Sequence, residues 1–207
     1  MAGGNHLLRL SLPAARVSAS ITLGGTVTSD LASNTAGNVL IVGEANEGAG
    51  TVQRRDPLNG NLLAQTPIML GVGAPDVGGI TANGVWVSEA TGMMGGVQLY
   101  DLTTLTPVGA TCSEGRTDTT CLLGSNGITA RVVNGILWIT QLAGGPQSNF
   151  CADPSDGQVL ATIPLPNEDE DVVESFGSRY LYVESPSVPG GIFTSVFEEP
   201  IPTACNA

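Results

Sequence analysis

A chain of 207 residues with 28 Gly, 13 Pro and only 13% charged side chains has much material for tight turns and little for long surface helices. Its cations are seven Arg with no Lys, set against nineteen Asp and Glu, and the net charge of −12 argues against nucleic acid or an anionic membrane as partner. Arg54-Arg55 is the nearest approach to a basic cluster.

The chain opens with LLRLSLPAARVSASITL (7–23), two short strands around Pro13. Arg9, Pro13 and Arg16 interrupt this apolar stretch, so it is neither a signal core nor a membrane span. Any export signal would lie upstream. A unit of about 45 residues then recurs: VQRRDPLNGNLLAQTPI (52–68), VQLYDLTTLTPVGATC (97–112) and NFCADPSDGQVLATIPL (149–165). Each is a strand, an Asp, a turn and a second strand. A fainter copy, IFTSVFEEPIPTAC (192–205), closes the chain. Before each unit stands another apolar strand: GNVLIVGEA (37–45), NGVWVSEA (83–90), NGILWITQ (134–141) and SRYLYVES (178–185). Shorter segments near 30–32, 80–82, 128–130 and 172–174 supply a first strand.

Four strands per unit at this period predict an all-β chain folded as a β-propeller, with no linker to divide it into domains. Full blades are expected near 26–70, 71–115, 116–167 and 168–207, with 6–23 as two strands of another. Such a chain would be a segment of a larger ring, or one completed by a second chain. Its open sheet edges would favour homo- or hetero-oligomers.

Repetition singles out the candidate residues. Ile41, Trp86, Trp138 and Tyr182 hold one repeated place, as expected of inter-blade packing. Glu44, Glu89, Gln141 and Glu184 close the second strand of each blade and would form a rim able to hold a cation such as calcium or a basic partner, or else remain solvated. The run Glu168-Asp169-Glu170-Asp171 reads as a loop between blades, and the Asp-Pro turns at Asp56 and Asp153 read as structural. Cys112 and Cys121 bracket a polar loop and would bridge in an oxidising compartment, leaving Cys151 and Cys205 as a second bridge. In a reducing compartment the same four would be separate thiols.

The stretch GVWVSEATGMMGGVQLYDLTTLTPVGAT (84–111) resembles the YVTN-type repeat, and QVLATIPLP (158–166) is similar to its ending. VWVSE and GGVQLYD also resemble repeats of NHL and streptogramin-lyase-like propellers. The last resemblance implies a metal-assisted lyase or hydrolase with a His general base. The single His of this chain, His6, lies outside the well-matched repeats. Asp-Pro turns occur in quinone-dependent dehydrogenase propellers as well, but two Trp and local turn chemistry give that reading little support. The expectation is therefore a non-catalytic, extracytoplasmic scaffold without a resident cofactor, binding a protein or cell-surface component. The alternatives are an incomplete lyase-like enzyme, or a subunit of a large assembly.

Overall fold

The computed structural model describes residues 6–11, 13, 16–22, 27–34, 36–46, 49–68, 75–90, 95–109, 121–124, 128–141, 148–164, 169–176, 178–184, 187–188, 191–192 and 195–205. Strands β1 (His6–Ser11) and β2 (Arg16–Thr22) form a hairpin of their own. Three four-stranded antiparallel meanders follow. The first holds β3 (Val27–Ser33), β4 (Leu40–Asn46), β5 (Ala49–Arg55) and β6 (Leu62–Pro67). The second holds β7 (Asp76–Ile80), β8 (Val85–Ala90), β9 (Gly95–Tyr100) and β10 (Cys121–Gly124). The third holds β11 (Ile128–Val133), β12 (Ile136–Gln141), β13 (Ser148–Ala152) and β14 (Val159–Pro164).

The fourth sheet begins with β15 (Asp169–Phe176) and β16 (Arg179–Glu184). A small hairpin of β17 (Ser187–Val188) and β18 (Gly191–Ile192) intervenes before β19 (Ser195–Pro200) completes the sheet. The second and third sheets are packed on both faces, so their second strands are apolar on both sides. Ile41 and Val52 meet Val77, Val85, Val87 and Tyr100 of the next sheet. Trp86, Val97 and Leu99 meet Ala130, Leu137, Ile139 and Ala152. Ile136, Trp138 and Cys151 meet Tyr180, Ile201 and Cys205. The N-terminal hairpin lies against the opposite face of the first sheet, through Ile21 on Val42.

First strands touch in succession, β3 with β7, β7 with β11 and β11 with β15. Gly78 and Gly79 permit the closest of these approaches: a Cβ on Gly78 would stand 2.5 Å from the Ala130 carbonyl oxygen, and one on Gly79 2.8 Å from Val132. With β11 drawn in this far, Arg131 reaches beyond β7 to an ion pair with Asp30 on β3.

The expected boundaries need three corrections. The second sheet does not close on residues 105–112. Tyr100 bridges Pro107 and the Val108 amide donates to Leu99, after which the strand resumes as β10 with Cys121 opposite Gln98. Pairing along β9 thus passes in register from residues 107 and 108 to Cys121, and the buried Gln98 amide donates to the Val108 carbonyl. The fourth sheet lacks the expected outer strand among the described residues. After β19 the chain turns through a short 3₁₀ segment, Thr203–Cys205. The acidic run expected as a loop enters a strand at Asp169, which pairs with Glu184.

Cys205 bonds to Cys151 of β13, with Cα atoms 5.9 Å apart and a sequence separation of 54. The fourth sheet is therefore tied covalently to the third. Closing a loop of this length should contribute about 4 kcal/mol through the unfolded chain. Cys151→Ala with Cys205→Ala should lower stability by roughly that amount in denaturant melts, and reduced wild type should match the variant. Equal midpoints for oxidised and reduced protein would show that the bond is not formed.

Candidate functional site

The Asp turns are one motif used three times. The amides of Asp56, Asp101 and Asp153 donate to the carbonyls of Asn61, Thr106 and Gln158, while Gly60, Leu105 and Gly157 donate back to the Asp carbonyls. This closure needs a left-handed residue in fifth place. Gly60 and Gly157 adopt φ of 76° and 79°; Leu105 takes 55°, and its side chain is buried beside Ile41 in the first inter-sheet core. Each carboxylate caps amides inside its own turn: Leu58 for Asp56, Thr103 and Thr104 for Asp101, Ser155 for Asp153. Hydrogen bonds from Thr104 and then Thr103, with Arg54 adding to them, hold Asp101 below its ordinary 3.8. Those from Ser155 do the same for Asp153.

Ile41, Trp86 and Trp138, expected at inter-blade positions, are all fully buried. Trp86 Nε1 also donates to the Pro154 carbonyl, 2.9 Å away on the Asp turn of the next sheet. Trp138 stacks on Tyr180 with centroids 4.5 Å apart. The fourth sheet thus meets Trp138 with Tyr180, whereas Tyr182 was expected at the place equivalent to Trp138 itself. The Tyr182 backbone pairs with Val172 and Phe197, and its side chain lies outside the described residues.

Glu44 is not on a rim. It is 1% exposed, accepts from Gln53 Nε2 at 2.8 Å and pairs with Arg55 at 3.4 Å. Arg55 in turn donates to Gln53 and to the Gly60 carbonyl. The alternation that put Glu44 at the end of a strand also turns it inward, toward the face covered by the N-terminal hairpin. Glu89, Gln141 and Glu184 occupy comparable strand ends, paired across the sheet with Gly96, Ile128 and both Asp169 and Ser195. Among the described residues no three His, Cys, Asp or Glu side chains come together as a metal site. His6 sits on the exposed hairpin beside the hydroxyls of Ser20 and Thr22. Cys112 lies outside the described residues, so the expected bridge to Cys121 does too.

Sequence reasoning missed the apolar surface of the first sheet. A groove of about 360 Å³ runs between hairpin and sheet, lined by Leu7, Leu8, Ile21, Leu31, Leu40 and Pro57. A second, of about 280 Å³, shares Gly37 and Pro57 with it and adds Leu58 and Leu63. Leu58 is 67% exposed at a turn position where the other two repeats carry Thr103 and Ser155. That break in the repeat was the available signal. Contiguous exposed leucines of this kind mark interaction surfaces more than catalytic ones.

No protein-family model matches the chain, and no curated protein matches it in sequence. In structure it is similar to the hydrazine synthase of Kuenenia stuttgartiensis, with a TM-score of 0.70 and 13% identity, over 94% of this chain and 56% of that one. It is also similar to the β-propeller domain of Cps50 (Swd1) from Myceliophteria thermophila (TM-score 0.56, 11% identity, 88% of this chain and 56% of that one). A chain of the nidogen/laminin complex matches with a TM-score of 0.50 and 18% identity, over 88% of this chain and 68% of that one. The chain therefore has a β-propeller-type fold and spans little more than half the length of the first two structures. Among the described residues no helix is long and apolar enough to cross a membrane.

Two predictions come from the polar groups. Glu44→Gln leaves Arg55 buried without a counter-charge and should cost about 3–5 kcal/mol in denaturant or thermal melts. A loss below about 0.5 kcal/mol would return Glu44 to an exposed role. Since Asp101 and Asp153 have lowered folded pKa values, their contribution is complete above the unfolded value and is lost as pH falls through the folded one. The melting temperature of Asp101→Asn with Asp153→Asn should therefore fall less steeply below about pH 4 than that of wild type. Parallel acid limbs would show that these carboxylates are not linked to folding.

Proposed function

We propose that this chain is a non-catalytic propeller module that binds another protein or a cell-surface component outside the cytoplasm. The observation that carries this reading is the exposed leucine surface of the first sheet, spread over two adjoining grooves around Pro57 and Gly37. Groups that chemistry would use are already engaged: the Asp carboxylates cap their own turns, Glu44 is neutralised by Arg55, and Trp86 is bonded to the next sheet. The acidic net charge keeps polyanions away and leaves apolar contact as the main source of affinity.

Placement outside the cytoplasm is supported by the Cys151–Cys205 bond, since structural disulfides persist in oxidising compartments. The same placement carries the Cys112–Cys121 bridge as a proposal. We read the chain as a single propeller unit of four blades and part of another. The fourth blade has three strands among the described residues, which suits a ring completed by a longer polypeptide or a neighbour.

Replacing Leu62 by a photoreactive phenylalanine analogue, in cells that make the protein, tests the surface directly. A protein adduct should form whose added mass is not a multiple of the 21.0 kDa chain, and Leu58→Glu with Leu63→Glu should abolish it. No adduct of any kind would reject the protein-binding reading. Adducts confined to multiples of 21.0 kDa would limit the partner to the chain itself.

A further inference from the structure

We propose that the Cys151–Cys205 bond is a redox latch: a dithiol reductant that opens it frees the fourth sheet from the third while the first sheet stays packed. The latch involves none of the leucines of the first sheet. It depends on the face that the third sheet turns to the fourth, where Trp138 and Cys151 meet Tyr180, Ile201 and Cys205. Cross-strand pairing puts Thr129, Thr140 and Asn149 in one row on that same face, beside the pair of Trp138 and Cys151. Asn149 stands opposite the residue two places after Trp138. The equivalent residues, opposite Gly43 and Ser88 two places after Ile41 and Trp86, are Val52 and Val97. Both valines lie in the inter-sheet cores. Asn149 therefore breaks an apolar repeat at a place where it is 0% exposed.

Its Oδ1 accepts from Thr140 at 2.7 Å, but Nδ2 is buried without a hydrogen-bond partner among the described residues, as are Thr129 Oγ1 and Trp138 Nε1. Trp86 shows the contrast, since its indole nitrogen donates to the Pro154 carbonyl across the preceding interface. Buried donors without acceptors weaken the packing that covers them, because opening the interface returns them to water. Apolar contact and the Trp138–Tyr180 stack oppose that opening. The covalent bond adds to them, running from β13 to the 3₁₀ segment that follows β19. Its reduction is a two-electron exchange. A thiolate of the dithiol attacks one sulfur and the other leaves as a thiolate. The second thiol of the dithiol then releases the first sulfur by closing its own disulfide, and both chain sulfurs end as thiols.

Hydrogen exchange read by mass spectrometry tests this on the full chain, oxidised and after treatment with dithiothreitol. Reduction should lower the protection of the β12, β15 and β16 amides about tenfold or more, while that of β4 and β5 changes by less than about twofold. Asn149→Val with Thr140→Val installs the apolar residue of the other two repeats and removes the hydroxyl bonded to Asn149. After reduction this variant should hold its fourth sheet at least about threefold better protected than reduced wild type. Reduced wild type carries no substitution, so the first comparison stands whatever the variant does to folding. The proposal is overturned if reduction leaves the fourth sheet as protected as before, if protection falls equally over the first sheet, or if the reduced variant opens as wild type does.

Discussion

One contact is repeated and everything else hangs on it: a large side chain near the start of each second strand presses onto the following sheet. Trp86 shows its full form. The ring is buried among Val97, Leu137 and Ile139, and the indole nitrogen donates to a carbonyl of the next Asp turn. Burial of each such side chain contributes roughly 1.5–3 kcal/mol. The hydrogen bond adds direction, since it is made only if the neighbouring turn is correctly folded. Sheet-to-sheet packing and turn geometry are thereby coupled, and the Asp carboxylates act on the stack through the turns they close.

Where the contact changes, the chain compensates. Ile41 is smaller than Trp86, and Leu105 fills the space from the other side by accepting a left-handed backbone where the other turns use Gly. The fourth sheet has no Asp turn to offer Trp138. Tyr180 stacks on that ring, and Cys205 arrives from the 3₁₀ segment to bond Cys151 on the neighbouring strand. A covalent bond thus stands at the interface that lacks the repeated turn. On the first sheet the N-terminal hairpin packs Ile21 on Val42, and a buried network of Glu44, Gln53 and Arg55 stands in place of a full apolar face.

These demands engage the turn carboxylates and Glu44 in contacts that serve the fold. Turn carboxylates satisfy backbone amides, and Glu44, one of the glutamates expected on a rim, neutralises a buried arginine. The leucines around Pro57 are under no such demand. Thr103 and Ser155 serve the same turn position as Leu58, so folding does not explain an exposed apolar side chain there. Pro107 and Cys121 likewise pair along the same strand, β9, in one register.

The sequence by itself determined the all-β class and most of the strands. Period-two alternation, the Asp turns and the 45-residue repeat are local features, and a strand that is apolar on both faces already implies a neighbour on each side. Ile41, Trp86 and Trp138 could be picked out because one physical demand recurs at one repeated place. Only the tertiary structure decided which way Glu44 points, because a carboxylate at a strand end is a rim ligand or a buried ion according to what covers that face, and here Arg55 and the hairpin do. It likewise decided that the second sheet closes with Cys121–Gly124, since continuity of register along β9 is a property of paired strands and not of adjacent residues. The meeting of Tyr180 with Trp138 has the same origin. A one-sheet shift in where the Asp turns end changes the partner that Trp138 must find, and no local pattern in the chain records that partner.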